Sequence, residues 1–481
     1  MKQNAWDWIE ENRKRLIEIS DTIWGYAELG LMEHRSSKLL SDELEKHGFR
    51  VERGVAGMPT AFVAIWGEGK PVIGVMGEYD ALPGISQKKL PNKDPLIEGA
   101  PGHGCGHNIH GVSGMTGAIA IKYALEELGL KGTIKFYGTP AEENYDGKVF
   151  MARAGLFDGV DACLSHHPGS INVANLASSN AVNNVKFHFY GKTSHAAGSP
   201  EQGRSALDAV ELMNIGVNFL REHVIEKARI HYVIEEGGGQ PNVVPDYARS
   251  WYYVRAPERD QLEPIYKRIL KIAEGAAMMT ETGLKVEFLG GCYNKLPNRA
   301  LSELVTANMR EIGAPQYTEE ELKFAGRIAK TFLKEQKRDA LRNRKVPDWE
   351  KYVDVDLVTD ILDAWDEGEV SAGSTDVSDV SWKTPTMEFS TTAFVLGAPG
   401  HSWQHVACSG MSIGHKSLIF AAKTIAGTAL DLMTKPEFLK KARDEFGKRM
   451  EGSTYRCPIP DDIQPPLEVA RVAAEAAEKR G

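Results

Sequence analysis

Residues 132–143 read GTIKFYGTPAEE, an apolar segment that leads directly into two adjacent carboxylates. Its first seven residues have the composition of a buried strand, and helical signals lie on either side of it at 114–128 and 147–154. A further apolar strand at 161–165 then ends in two histidines. Strands that alternate with helices and carry polar groups at their ends predict an α/β sheet, with a site beyond the carboxyl ends of its strands.

The N-terminal part of the chain adds helices and more apolar strands. Residues 5–27 and 35–47 have helical periodicity, and 60–66 and 71–77 are apolar runs separated by a short glycine-containing segment. We expect the two apolar runs to form a β-hairpin.

Residues 184–290 change character and form a unit of their own. The order of predicted elements is strand, helix, strand, strand, helix, strand, which is the split ferredoxin-like order. Such a self-contained unit inside a longer chain indicates an inserted domain. We therefore divide the chain into a discontinuous catalytic domain, 1–183 and 296–481, and a lid or dimerisation domain, 184–295.

The C-terminal part carries weaker signals. Residues 315–370 are charged, and we expect them to be a mostly helical elaboration without a catalytic role. An apolar strand is predicted at 394–396, and 411–434 carries the last helix signal. The tail after Pro458 is expected to be a peripheral wrap or helix.

The composition argues against several classes of function. The formal net charge is −9 and no basic stripe stands out, which argues against nucleic acid or an anionic membrane as a partner. The N-terminus lacks an apolar signal core and no apolar run is long enough to span a bilayer, so we expect a cytoplasmic protein. The five cysteines are scattered, which suits free thiols in a reducing compartment, and only Cys105 has the surroundings of a metal ligand.

One thiol and two imidazoles lie close together at residues 103–107, which read HGCGH. Cys105 and His107 are two residues apart, so both can face one pocket, and the glycines let the backbone turn closely past an ion. Thiolate, imidazole and carboxylate are the side chains that hold divalent transition metals. We predict Cys105 and His107 as ligands, with His103 and His110 lining or supporting the site.

Carboxylates at the ends of two strands complete the chemistry of a metal-dependent hydrolase. Neighbouring side chains diverge, so one of Glu142 and Glu143 can bind metal while the other takes a proton from water. Asp80 follows the strand at 71–77 and is predicted to fix the tautomer of a ligating histidine. Glu78 could have the same role, or it could simply be a polar residue that ends the strand, and the sequence does not distinguish these two interpretations.

Two further positions can supply a histidine ligand to the metal site, and at each position two histidines are candidates. Adjacent residues on an extended backbone face opposite ways, so only one of His166 and His167 need be a ligand, and we favour His167. His401 lies at a glycine-marked strand end and is favoured over His405.

The ordered motifs resemble a known family. They are Gly-Glu-Tyr-Asp-Ala-Leu-Pro (77–83), His-Gly-Cys-Gly-His-Asn (103–108), Pro-Ala-Glu-Glu (140–143), His-Pro (167–168), Gly-Lys-x-Ser-His-Ala (191–196), Pro-Asn-Val-Val-Pro-Asp (241–246) and Gly-His-Ser (400–402). Together they are similar to the aminoacylase/carboxypeptidase metallopeptidase family, and within it to the amidohydrolase branch with a Cys-Gly-His metal loop. The resemblance covers nearly the whole chain.

The resemblance implies a dinuclear-metal, aminopeptidase-like α/β/α catalytic domain with a ferredoxin-like lid. Glu142 would be the general base and acid. In a homodimer formed through the lid, His195 and Asn242 would reach the neighbouring subunit's active site, while Arg255 would bind the substrate carboxylate. Two divalent ions, Mn or Zn, would be held by Cys105, His107, Glu143, His167 and His401.

The activity that the resemblance implies is hydrolysis of the amide bond of an N-acyl amino acid, most specifically p-aminobenzoyl-glutamate. The alternative among enzymes is a dipeptidase or another N-acyl-amino-acid hydrolase. Outside the enzymes, the alternative is a catalytically silent partner subunit, against which the intact Glu142 and the full ligand set argue. A related second subunit is a possible partner besides a second copy of the chain.

Overall fold

The computed structural model describes residues 1–478. The helices are α1 (Lys2–Glu11), α2 (Arg13–Tyr26), α3 (His34–Lys46), α4 (His107–Leu128), α5 (Gly147–Arg153), α6 (Ala206–Leu220), α7 (Arg259–Thr280), α8 (Arg299–Ile312), α9 (Glu319–Ala329), α10 (Lys334–Asn343), α11 (Val377–Ser381), α12 (Trp403–Ser409), α13 (Ser412–Thr434), α14 (Pro436–Met450) and α15 (Leu467–Glu478). The strands are β1 (Arg50–Arg53), β2 (Phe62–Glu68), β3 (Val72–Gly77), β4 (Gly132–Gly138), β5 (Ala162–Gly169), β6 (Asn172–Val173), β7 (Ser178–Ser179), β8 (Ala181–Tyr190), β9 (Arg229–Glu236), β10 (Tyr247–Ala256), β11 (Gly283–Cys292), β12 (Ile361–Leu362), β13 (Val370–Ser371) and β14 (Thr386–Thr392).

A mixed sheet of eight strands forms the centre of the catalytic part, in the order β1-β2-β4-β3-β5-β14-β6-β12. Side chains alternate between its two faces, as period-two strands require. Phe62 and Ala64 belong to the core that contains α4 and α13, whereas Val63 and Ile65 belong to the core that contains α5. The sheet is therefore covered by helices on both sides, and the predicted α/β/α architecture is confirmed.

The predicted hairpin between 60–66 and 71–77 is wrong. Strand β4 lies between β2 and β3, pairing with β2 in antiparallel and with β3 in parallel fashion. The glycine-containing connection reverses the direction of the chain, but it leaves a gap one strand wide between β2 and β3. The gap is filled by an apolar strand that occurs some sixty residues later in the sequence, with Glu68 opposite Gly132.

Helix α4 begins at His107, seven residues before the predicted start at Gly114. Its early glycines weaken the helical signal in the sequence, but they let the helix pass directly over β3. A Cβ atom at Gly111 would lie 2.6 Å from the carbonyl oxygen of Glu78, and one at Gly114 would lie 2.5 Å from that of Met76. This close approach sets the N-terminus of α4 beside the carboxyl end of β3.

A second, four-stranded antiparallel sheet has the order β11-β8-β10-β9. Helices α6 and α7 share a separate hydrophobic core with it, and the β-α-β-β-α-β order matches the predicted ferredoxin-like insertion. Its strands begin at Ala181 and end at Cys292. We keep 184–295 as the proposed extent of the lid domain.

The C-terminal expectations need three corrections. Residues 315–370 are helical only in their first half, and the rest forms turns with the short strands β12 and β13. Residues 394–396 are a turn, because pairing with β5 ends where Thr392 faces Gly169. Helix α13 is followed by α14, whose charged composition hides it, and the tail contains α15.

Helix α13 is long and apolar enough to cross a membrane by length and composition, contrary to the expectation that no such run exists. Within the fold, 83% of its most apolar window is buried. It packs against α4 in the main hydrophobic core, which is the typical place of such a helix in a globular fold.

Candidate metal centre and active-site cavity

Four segments bring functional side chains to one edge of the central sheet. Strands β3, β4, β5 and β14 run parallel to their neighbours in this set, so their carboxyl ends meet. The segments that follow β3 and β4 carry Asp80 and the Glu142–Glu143 pair, and β5 itself carries His167. The fourth segment, after β14, carries His401. This is the edge at which α/β folds place their sites.

Two groups of ligand atoms form around one shared thiol. Cys105, Glu143 and His401 place their ligand atoms within 4.8 Å of one another, and so do Cys105, His107 and His167. The Sγ atom of Cys105 lies 3.2 Å from Nε2 of His401, which in turn lies 3.6 Å from Oε2 of Glu143. The structure thus brings together all five predicted ligands.

The polar atoms of this cluster are the kind that a metal ion would satisfy. Within residues 1–478, neither Nε2 of His107 nor Oε1 of Glu143 has a hydrogen-bond partner, although both atoms are buried. They lie 4.0 Å apart, and Nε2 of His107 lies 3.1 Å from Oε2 of Glu78. Buried polar groups rarely stay unpaired, and thiolate, imidazole and carboxylate are the donors of zinc and related sites. The residues therefore fit a pair of divalent ions.

Asp80 holds two members of the cluster in place. Its Oδ1 atom accepts a hydrogen bond from Nδ1 of His107 at 2.8 Å, and its Oδ2 atom accepts one from the backbone N–H of Glu143 at 2.9 Å. A proton on Nδ1 leaves the Nε2 lone pair free to bind a metal. Asp80 therefore sets the tautomer of one candidate ligand and the backbone position of another.

The hydrogen bonds of His166 and His167 distinguish the two residues. His166 is buried, with Nδ1 3.0 Å from the hydroxyl of Ser113 and Nε2 2.8 Å from that of Thr391, so both ring nitrogens are already paired. His167 has Nδ1 beside the carbonyl oxygen of Pro168 at 2.9 Å, and its ring faces the cluster. The alternation along β5 thus turns one histidine into the core and the other into the cavity.

His401 and His405 differ in the same way. His405 donates from Nδ1 to the carbonyl oxygen of Gly104 at 3.1 Å, and its ring stacks on Phe394 with 3.9 Å between centroids. His401 has a positive φ of 53°, and its ring turns toward Cys105. Its side chain remains 57% exposed, so this side of the cluster is open to solvent.

Glu142 and Glu143 both hold protons more tightly than ordinary glutamates. Burial, followed by the charges of Glu78 and Glu143, raises the pKa of Glu142 well above its usual value. Burial also raises the pKa of Glu143 to about 7. A carboxylate with a raised pKa can accept a proton near neutral pH and return it, as general acid–base catalysis requires.

A buried ion network beside the cluster was not predicted from the sequence. Lys148 places its Nζ atom 2.6 Å from Oε1 of Glu78 and 2.6 Å from Oδ1 of Asp376. Its backbone N–H also donates to Oδ2 of Asp376 at 2.8 Å. All three side chains are buried, and breaking such a pair from one side is strongly destabilising. Nothing in the local sequence around Lys148 indicates this role.

The cluster opens into a cavity of about 660 Å³ with walls from both domains. Arg255 on β10 of the lid lines it, and its Nη1 atom donates to the hydroxyl of Ser374 at 2.8 Å. Lys295 is a second cation of the wall that the sequence did not indicate. Arg255 is thus placed where it can meet an anionic group of a molecule bound at the metal cluster.

His195 and Asn242 lie together on the lid, away from this cavity. The backbone of His195 forms an isolated β-bridge with Val243, and Ala196 donates to the carbonyl oxygen of Asn242 at 3.0 Å. Among the described residues that line the cavity, neither His195 nor Asn242 is present. Within one chain, therefore, the structure does not bring these two residues to the metal cluster.

Alkylation of Cys105 is expected to depend on bound metal. In the metal-free protein an excess of iodoacetamide should modify Cys105 and block later metal binding, whereas bound Mn²⁺ or Zn²⁺ should protect the thiol. Long incubation is needed, because burial and then the charge of Glu143 raise the pKa of this thiol. Mass spectrometry of the peptides measures the modification. The partly exposed Cys457 is the internal control and should react equally in both states. Equal alkylation of Cys105 in both states would remove it from the ligand set.

The fold and the cluster fit a metal-dependent hydrolase. The chain belongs to peptidase family M20/M25/M40, whose family model matches residues 74–423. The expected membership of a metallopeptidase family with an amidohydrolase branch is thereby confirmed.

Known members of the family match the chain over most of its length. It is 42% identical over 472 residues to one of the subunits of p-aminobenzoyl-glutamate hydrolase of Escherichia coli (strain K12), covering 95% of this chain and 97% of the relative. It is 29% identical over 466 residues to Xaa-Arg dipeptidase of Mus musculus, covering 94% of this chain and 93% of that protein. Among solved structures, a dinuclear metal binding peptidase of the M20 family from Bacillus subtilis superposes with a TM-score of 0.56 at 17% identity, covering 89% of this chain and 99% of that one.

Proposed function

We propose that the protein hydrolyses the amide bond of N-acyl amino acids whose leaving amino acid is anionic, with p-aminobenzoyl-glutamate as the first substrate to test. The observation that carries the proposal is Arg255, which lines the same cavity as four of the five candidate ligands, Cys105, Glu143, His167 and His401. A guanidinium group binds a carboxylate through two parallel hydrogen bonds, so it selects an amino acid with a free carboxylate. The name of the relative that is 42% identical supports the choice of acyl group.

The chain's own residues supply most of the proposed chemistry. Two divalent ions, Mn²⁺ or Zn²⁺, held by the five candidate ligands would polarise the scissile carbonyl and lower the pKa of a water molecule. Glu142 takes the proton from the attacking water and passes it to the leaving nitrogen. Asp80 keeps His107 in the tautomer that binds metal, and the carboxylate of the leaving amino acid rests on Arg255.

We further propose a homodimer formed through the lid, in which His195 and Asn242 of one subunit complete the site of the other. The lid presents large apolar side chains to solvent: Phe219 is 72% exposed and Ile215 50% on α6, while Val233 is 55% exposed on β9. Because β9 is an edge strand of its sheet, it also offers unpaired backbone groups beside Val233. Light scattering of the purified protein measures the oligomeric state. A related second subunit remains an alternative partner, since the relative from Escherichia coli is named as one subunit of a hydrolase. We also propose a cytoplasmic location.

The second candidate function is that of a dipeptidase, which the name of the mouse relative suggests. A dipeptide with a basic C-terminal residue would bring a third cation into a cavity that is already lined by Arg255 and Lys295, so we rank it below an acidic leaving group. Acyl-glutamates, acyl-aspartates and dipeptides, each assayed with Mn²⁺ and with Zn²⁺, separate the candidates. A protein that binds no metal and cleaves none of them would favour the silent partner subunit.

Arg255→Lys is expected to lower kcat/KM for acyl-glutamates roughly 10-fold or more, because it keeps the charge but loses the paired hydrogen bonds. The loss should be much smaller for the matching substrate whose carboxylate is capped as an amide. Steady-state kinetics with the two substrates measures the difference. Arg249→Lys is the matched control, since Arg249 lies on the same strand and pairs with Glu235 at 2.9 Å, outside the cavity. An equal fall for both substrates would show that Arg255 has a structural role.

A further inference from the structure

A second cavity, of about 620 Å³, lies beyond Arg255. Arg255 and Ala372 line both this cavity and the metal cavity, so the two cavities are adjacent at these residues. The lid contributes Lys227, Arg229 and His231 to the second cavity, which we call the basic pocket. The catalytic part contributes the segment from Glu369 to Ala372. Four of its nine described lining residues, Lys227, Arg229, His231 and Arg255, carry basic side chains, and a molecule that extends beyond Arg255 from the metal cavity would meet them.

The sheet register forces these side chains together. Arg229 on β9 lies directly opposite Arg255 on β10, and His231 lies opposite Tyr253, so the four residues share one face of the sheet. Like charges directly opposite each other across antiparallel strands destabilise the pair. Repulsion between Arg229 and Arg255 therefore destabilises the ligand-free protein. An anionic ligand bound between the two arginines would remove this destabilisation.

Little negative charge offsets this cluster. The hydrogen bonds of Arg229 go to the backbone carbonyl oxygens of Glu226 and Ala228, at 2.7 and 2.8 Å, and that of Arg255 goes to Ser374. Glu369 is the one carboxylate among the described lining residues, and its charge is shared between Lys345, which donates a hydrogen bond to it at 2.6 Å, and Lys227 of the pocket.

The pKa of His231 is affected by the same excess of positive charge. Burial, then the charges of Arg255, Arg221 and Arg229, lower its pKa. The basic pocket thus keeps a net positive charge next to the carboxylate site of the metal cavity.

We propose that the basic pocket is a subsite for substrates whose leaving amino acid carries further carboxylates, such as an N-acyl glutamate extended by one or more glutamyl residues. This proposal rests on the proposed function, because it extends the leaving group that Arg255 receives. The first carboxylate meets Arg255, and those of the extension meet Arg229 and Lys227, where each can form a charge-assisted hydrogen bond. The reaction itself is unchanged, since the bond that breaks is still the amide at the metal cluster.

The test compares p-aminobenzoyl-glutamate with p-aminobenzoyl-glutamyl-glutamate, in both α- and γ-linked forms, by steady-state kinetics. The double variant Lys227→Gln, Arg229→Gln should lower kcat/KM for the better extended substrate by roughly 10- to 100-fold, as removal of hydrogen bonds between charged groups does. Its kcat/KM for p-aminobenzoyl-glutamate should stay within about twofold of the parent value. The matched control is Lys267→Gln, Lys271→Gln, which removes two exposed charges from α7 of the same domain and should change neither value.

The outcomes separate the subsite from the proposed function. If the parent enzyme cleaves p-aminobenzoyl-glutamate and the double variant loses nothing on either extended substrate, the subsite is overturned while the proposed function stands. If the parent cleaves neither kind of substrate, the proposed function fails, and calorimetric titration with free triglutamate tests the pocket alone. Binding that the double variant abolishes supports an anionic subsite, whereas equal binding to parent and variant, or none to the parent, overturns it.

Discussion

Replacing Glu142 by glutamine is expected to lower kcat at least ~10²-fold, the usual loss when a general base is removed. Glutamine has the size of glutamate but cannot accept the proton of the attacking water. Its neighbour provides the contrast, because Glu143 shares a ligand group with Cys105 and His401, whereas Glu142 groups only with Glu78 and His107, apart from the Cys105 thiol. We assign Glu142 to the base and not to the ligands. The metal content of the Glu142→Gln protein, measured by mass spectrometry of the elements, should therefore equal that of the parent.

The control is Glu143→Gln, which should lose metal as well as activity. It removes a negative charge one residue away, so a general effect of charge would appear equally in both variants. Near-normal turnover of Glu142→Gln with full metal content would show that another group is the base. Loss of metal from Glu142→Gln would instead place this carboxylate among the ligands.

His195→Ala is expected to lower kcat about 10²- to 10³-fold, the range found when one oxyanion donor is removed. In the proposed dimer, His195 acts on the partner's site, since it does not line the cavity of its own chain. Mixing the inactive Glu142→Gln and His195→Ala proteins by unfolding and refolding them together should then restore activity. Each mixed dimer has one site with both lesions and one intact site, so random pairing returns about one quarter of the parent activity.

Two differently sized affinity tags show whether mixed dimers have formed. If they have formed and activity stays absent, every site carries one lesion and the action of His195 across subunits is refuted. Each variant refolded alone must stay inactive, which excludes recovery by refolding itself. A dimer of one chain is required for this result, so a protein that is monomeric by light scattering would also contradict it.

Local sequence patterns predicted the structure correctly where the alternation or periodicity of one helix or strand determines which side chains face the core. Period two along β5 means that only one of His166 and His167 can face the cavity, and the strand ends at Gly169, two residues after His167. The βαββαβ unit was readable because each of its elements is amphipathic and contiguous in sequence, with a core of its own. Metal chemistry restricts ligands to a few residue types, which singled out Cys105, His107, His167 and His401, while the choice of Glu143 over Glu142 came from the family resemblance.

Patterns failed where the partner lies far away in sequence. The apolar runs around Gly67–Lys70 looked like a hairpin, since nothing local shows that β4 will enter between them. Lys148 resembles any solvated lysine until Asp376, 228 residues later, is placed against it. The α4 glycines read as helix breakers, whereas in the fold they permit the close contact with β3.

The distance between Lys148 and Asp376 also matters while the chain is being made. The four-stranded sheet and its two helices, Ala181–Cys292, form one continuous stretch, which can fold soon after it leaves the ribosome. The catalytic sheet cannot be completed until later in translation, because the free edge of β5 pairs with β14. Strand β14 is synthesised shortly after the segment that carries Asp376. At roughly 5–20 residues per second the wait lasts on the order of ten to fifty seconds. During that interval the edge of β5 is unpaired, and Lys148, which is buried in the folded protein, lacks its partner Asp376. We therefore expect nascent chains of this protein to depend on chaperones until the last quarter of the sequence has been translated.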